Sequence, residues 1–166
     1  RAGRTTAVVL APDNAYGKRA VAAFEKSLPK SGVKSLKIIY YPANTTSFGK
    51  VLDPVRSSLK TAAILIPDQL GRVELVVRQL VRDGVVVDRP KQPGVPILST
   101  GEGSSPDALG PGHEVLDGVL VAPVAWETPE AAGFVEAYTA MEGSGPPDQA
   151  WLVYRAVRDV RAGEPA

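Results

Sequence analysis

Three carboxylates, an amide, a hydroxyl and two aromatic rings stand where side chains of this chain can meet a ligand: Asp13, Asp68, Glu102, Gln69, Thr100, Tyr16 and Trp126. Each follows closely on a short apolar run of the kind that forms a buried strand. The set suits a small polar or zwitterionic molecule. Glu102 can pair with an ammonium group, and the rings can cover an apolar one. Two readings compete for Asp13 and Asp68. An Asp after a strand commonly caps the next helix, and for both residues that reading outweighs ligand contact. Glu102 lies in the turn Gly101-Glu102-Gly103 with no helix in the sequence to cap, so there the two readings balance. Trp126 either stacks on a ligand or packs on Pro129.

Catalytic patterns are missing. His113 is the one histidine and lies in a Gly/Pro-rich loop, where solvation is commoner than general-base work. Gly101-Glu102-Gly103 lacks the third glycine of a dinucleotide fingerprint, and neither a phosphate loop nor a Gly-x-Ser-x-Gly elbow occurs. With no cysteine and one histidine there is no transition-metal spacing, no disulfide and no thiol nucleophile. The sequence therefore predicts a protein that is not an enzyme and needs no cofactor. Asn44-Thr45-Thr46 fits a glycosylation pattern that matters only in a eukaryotic secretory context.

The elements that must carry these residues alternate along the chain. Apolar runs at 7–11, 36–41, 62–66, 95–98 and 118–122 read as five strands. Between them, Val21, Phe24 and Leu28 recur at helical spacing, and 48–59 reads as a helix that Pro54 delays or kinks. Leu70, Val73, Val76, Val77, Leu80 and Val81 form the clearest apolar stripe, ended by Asp83-Gly84. Residues 85–94 read as an exposed loop, and 99–112 as Gly/Ser-rich with at most one helical turn. Two helices close the chain, one from about Pro129 carrying Phe134, Tyr138 and Met141, the other carrying Ala150, Val153, Tyr154, Val157 and Val160 with Trp151 beside that stripe. Strict alternation implies parallel pairing and right-handed crossovers. The expected fold is α/β, a three-layer sandwich with a mainly parallel five-stranded sheet flanked by helices. In such a sheet, ligands bind beyond the carboxyl ends of the strands, where strand order switches.

Length and charge bound the class. At 166 residues one domain, 1–166, is expected. A net charge of +1, from 19 basic and 18 acidic residues without long runs, argues against nucleic acid or an anionic membrane as partner. No apolar run approaches the roughly 20 residues that span a bilayer. The chain opens on Arg1 rather than Met, so a signal segment is expected upstream.

Several phrases occur in an order that a known family shares. They are Asp13-Asn14-Ala15-Tyr16-Gly17 opening a helix, Gly32 before a strand ending in Tyr40-Tyr41-Pro42, and Thr46-Ser47-Phe48. Ile64-Leu65-Ile66-Pro67, Arg78-Gln79-Leu80 with Gly84, and Ile97-Leu98-Ser99-Thr100-Gly101-Glu102-Gly103 follow. Gly118-Val119, Phe134-Val135-Glu136-Ala137-Tyr138, Pro147-Asp148, and Ala150 with Tyr154 and Ala156-Val157 complete the series. In these the chain resembles the type 1 periplasmic solute-binding proteins, in the leucine/isoleucine/valine-binding branch.

The resemblance implies the second lobe of a two-lobed clamshell that closes on an amino-acid-like ligand in the envelope of a bacterium, in association with an ABC transporter. It implies that Tyr16 lines the cleft, that Glu102 takes the ligand's ammonium, and that Asp68, Gln69 and Leu70 face the cleft. That last loop departs from the family's usual aromatic or small residues, and the carboxylate grip of the first lobe has no counterpart here. Residues 146–166 are expected to close on the missing lobe or on a partner. Thr46-Ser47-Phe48-Gly49-Lys50-Val51 and Ile66-Pro67-Asp68 also resemble the domain found in penicillin-binding protein activators. That alternative implies a protein-interaction module of an envelope lipoprotein.

Overall fold

The computed structural model describes residues 4–100, 114–121, 129–146, 150–151 and 153–154. The run Ala7-Val8-Val9-Leu10-Ala11 is apolar on both faces, the pattern of a strand covered above and below, and none of its residues is more than 1% exposed. It forms an interior strand of the sheet. β1 (Thr6–Pro12) pairs along its whole length with β2 (Ser35–Tyr41) and on its other side with β3 (Ala63–Ile66). β4 (Ile97–Ser99) and β5 (Leu120–Val121) extend the sheet, giving the order β2-β1-β3-β4-β5 with every pair parallel. This is the α/β architecture expected from alternation.

Alternation within β1 divides the core. Val8 and Leu10 join Ile64, Ile66, Leu52, Val55 and the stripe of α3 (Leu70–Arg82) on one face. Val9 and Ala11 join Leu65 and Val21 of α1 (Ala15–Ser27) on the other, with Phe24 packed alongside. Cutting Leu10 back to Ala would remove transfer energy and leave a cavity, together about 2–5 kcal/mol.

The helix ends follow their residues. At α3, Gly84 adopts a φ of 78°, open to glycine at little cost, so its N–H reaches the Val81 carbonyl and the Val85 N–H reaches that of Leu80. The stripe is as expected except for Val81, which is exposed. The helix expected over 48–59 is shorter: α2 (Gly49–Leu52) gives way to 3₁₀ turns over Asp53–Ser58, because Pro54 cannot supply the N–H that a continuing α-helix needs.

The loop expected over 85–94 is not wholly exposed. Val85 and Val87 are buried, and Val87 bridges Val95 while Arg89 and Gln92 exchange backbone hydrogen bonds. Apolar residues at every second position anchor it to the core. β4 and β5 begin two residues later than the apolar runs suggest, since Pro96 has no N–H to give the ladder and Gly118 turns at a φ of 90°. α4 (Pro129–Glu142) begins where expected, and beyond it Trp151 is buried against Phe134, with ring centroids 5.3 Å apart.

Candidate functional site

The strand order reverses between β1 and β3. From their carboxyl ends the chain departs to opposite faces, into α1 on one and α3 on the other, which opens the crevice where α/β sheets hold ligands. Gly17 allows the first departure. A Cβ there would lie 2.1 Å from the Pro12 carbonyl oxygen, so only glycine lets α1 rise this closely from the end of β1. The Asn14 side chain accepts the Gly17 N–H at 2.8 Å and caps the helix.

These constraints place Tyr16 in the first turn of α1, half-buried, with its hydroxyl donating to Thr100 Oγ1 at 2.5 Å. Thr100 follows the last residue of β4, so this bond passes across the end of β3. A second tie passes across the end of β1. Tyr41, the last residue of β2, donates its hydroxyl to Asp68 Oδ2 at 2.8 Å, just beyond β3. The two ties interleave and bind the carboxyl ends of four strands to one another.

Asp68 is the hub of the second tie. Its side chain is 1% exposed; Oδ1 accepts the Gln69 N–H at 2.7 Å, and Oδ2 accepts both Tyr41 and Arg72 Nε, the latter at 2.8 Å. Burial, then the charge of Asp68, pushes the Tyr41 phenol far above its ordinary value. Tyr41 also meets Phe48 edge to face, with centroids 5.1 Å apart.

The candidate residues thus separate. Tyr16 and Thr100 are brought together. Asp68 is held internally and touches Gln69 through the backbone, while the Gln69 side chain is exposed at the start of α3. Asp13 stands apart, exposed and paired with Lys18 at 2.8 Å, and it holds that ammonium above its usual range. Neither aspartate caps a helix in the expected way, since Asn14 performs that task for α1 and Gln69 occupies the cap position of α3 without a side-chain bond. Glu102, Trp126 and His113 lie outside the described residues. Two residues of the edge escaped the sequence reading, Tyr41 and Arg72. Arg72 carried a signal, because Asp and Arg four residues apart at a helix start are neighbours in space. Tyr41 carried none, since its bond to Asp68 depends on strand order.

The described residues also outline a basin of about 600 Å³ lined by Asp53, Arg56, Ser57, Leu59, Lys60, Asp83 and Val85. It lies at the opposite, amino edge of the sheet. Its charges answer one another: Arg56 meets Asp53 at 2.8 Å and Asp83 at 2.5 Å. Among the described residues no group of acidic, histidine or cysteine side chains could hold a metal ion, and no helix is long and apolar enough to cross a membrane.

A family model described as "Periplasmic binding protein" matches residues 1–158. Among solved structures, the leucine-binding protein LivK of Thermotoga maritima is similar at 23% identity and a TM-score of 0.70, covering 98% of this chain and 46% of that one. The branched-chain amino acid binding protein LivJ of Streptococcus pneumoniae, in complex with isoleucine, is 19% identical with a TM-score of 0.66, covering 100% of this chain and 46% of that one. A solute-binding protein of an ABC transporter from R. palustris, in complex with benzoate, is 21% identical with a TM-score of 0.61, covering 89% and 39%. The chain therefore spans less than half the length of the structures it matches, as one lobe of their fold does. No curated protein matches it.

Proposed function

The chain belongs to the periplasmic binding protein family, and from that premise we propose that it is the second lobe of an envelope solute-binding protein that takes an amino acid or a similar small acid. The observation that carries this reading is the switch point itself. Tyr16, Thr100, Gln69 and the Asp68 hub gather at the carboxyl ends of strands whose order reverses there. The ligands in the solved relatives, isoleucine and benzoate, support a small carboxylate-bearing molecule. The protein works by closing a cleft on its ligand, so binding selects the closed population and no bond is made or broken. Its partners are the first lobe of the same fold and an ABC transporter. Glu102 takes an ammonium group where the ligand has one, and Trp126 covers its apolar part. Residues 146–166 close on the first lobe.

Calorimetric titration of the full-length protein with leucine, isoleucine, valine and benzoate tests this. Micromolar binding of one of them, lost in Tyr16→Ala with Glu102→Ala, is expected; a flat titration across the panel overturns the reading. One observation favours a second reading, a protein-interaction module: Val153 and Tyr154 lie exposed beside the buried Trp151. A flat panel together with a defined envelope protein that binds through Val153 and Tyr154 would establish it.

A further inference from the structure

We infer that this lobe pairs with a second copy of itself through the outer edge of β2, in an antiparallel, two-fold arrangement that joins two five-stranded sheets into one. β2 ends the strand order, so among the described residues one of its edges faces no other strand. Along its inner edge, the Ser35 N–H donates to the Thr5 carbonyl and the Tyr41 carbonyl accepts the Asp13 N–H. In a strand the N–H and C=O of one residue point the same way, and the direction alternates from residue to residue. Leu36, Ile38 and Tyr40 therefore present theirs outward. Native sheets commonly blunt such an edge with a proline, a bulge or a free lysine. This one runs in unbroken register against β1 for seven residues, holds no proline, and has its Lys37 ammonium tied back to Ser58 Oγ at 2.7 Å.

The edge itself selects a second copy as what covers it. Its three outward residues lie symmetrically about Ile38. A two-fold axis there sets Ile38 against the partner's Ile38 and Leu36 against the partner's Tyr40, and each outward N–H meets an outward C=O. The same register keeps like faces together. Leu36 and Ile38 pack on the α1 side of the core, and the Tyr40 ring, 42% exposed, gains an apolar neighbour in the partner's Leu36. No like charges stand opposite one another, because Lys37 meets the partner's Ile39 on the other face. Both ends of the new ladder are closed by the chain: Pro42 has no N–H, and Lys34, which would lie opposite it, turns its own inward to Thr5.

Sedimentation of the full-length protein is expected to show a dimer that dissociates on dilution from about 100 μM. The chain has no cysteine, so Ile38→Cys is a site-specific probe. Two copies of position 38 would face each other with Cα atoms about 5.5 Å apart, within disulfide reach. Ile38→Cys should cross-link in air, whereas Ser35→Cys, set against the partner's Tyr41, should not. Tyr40 is exposed enough to vary without disturbing the core. Tyr40→Lys places a cation diagonal to the partner's Lys34 and Tyr40→Glu places a carboxylate there. The second variant should dimerise about tenfold more tightly than the first, with the gap closing in high salt. A monomer at about 100 μM overturns the inference, even if β2 then takes a strand from another protein. Equal cross-linking at positions 35 and 38, or equal affinity of the two Tyr40 variants, overturns it as well.

Discussion

The carboxyl and amino edges of this sheet both carry charge, and they use it in opposite ways. At the amino edge, Arg56 lies between Asp53 and Asp83 around an open basin, and Arg4 donates to the carbonyls of Thr61 and Gly94. These groups answer one another beside solvent. At the carboxyl edge the hub is buried, and its donors come from the end of β2 and the start of α3. The ordered, desolvated chemistry is at the carboxyl edge, where buried polar groups are held in fixed geometry.

The contrast can be broken or sharpened by urea unfolding. Asp68→Ala should have the largest effect, about 3–5 kcal/mol, because it removes one partner of a buried pair and leaves the Tyr41 hydroxyl unmet. Tyr41→Phe should cost about 1–3 kcal/mol through the donor lost to a buried carboxylate. It should also change the alkaline limb. The folded phenol holds its proton more tightly than the unfolded chain does, so its contribution is whole below the ordinary value of 10 and is lost as pH climbs past it. Wild-type stability should then fall by up to about 1.4 kcal/mol per pH unit more steeply than that of Tyr41→Phe. Tyr16→Phe, which cuts the half-buried tie to Thr100, should cost about 0.5–1.5 kcal/mol. Asp53→Ala at the amino edge should leave the midpoint within the scatter of repeat measurements, since exposed pairs contribute little. If Asp53→Ala matches Tyr41→Phe, the distinction between the edges is gone.

Much of the framework was legible because it is written in short-range patterns. The doubly apolar run at Ala7–Ala11 announces a central strand, the α3 stripe has a period of its own, and Pro54 marks where α2 must change hand-holds. The parallel order follows from alternation. What was not legible joins distant residues. Tyr41 and Asp68 are 27 positions apart and Tyr16 and Thr100 are 84 apart, so each contact exists only once β1 and β3 lie side by side. The roles of Asp13 and Asp68 were open for a related reason. Whether a carboxylate caps a helix, pairs with Lys18 or is buried under a tyrosine depends on the direction in which the chain leaves the strand, and Asn14 had already taken the cap.

The placement of β1 has a consequence for how the lobe assembles. β1 is an interior strand that precedes both of its neighbours in sequence, so the sheet grows outward from it, to β2 on one flank and then through β3 and β4 to the two-residue β5 on the other. During synthesis of this lobe β1 emerges before either neighbour, and one of its edges stays uncovered until β3 follows β2. Residues up to the end of α3 contain the three strands and the packed stripe from which a folding nucleus can form, and the later strands add to a surface already made. Chaperone dependence should accordingly concentrate in the interval between the appearance of β1 and that of β3.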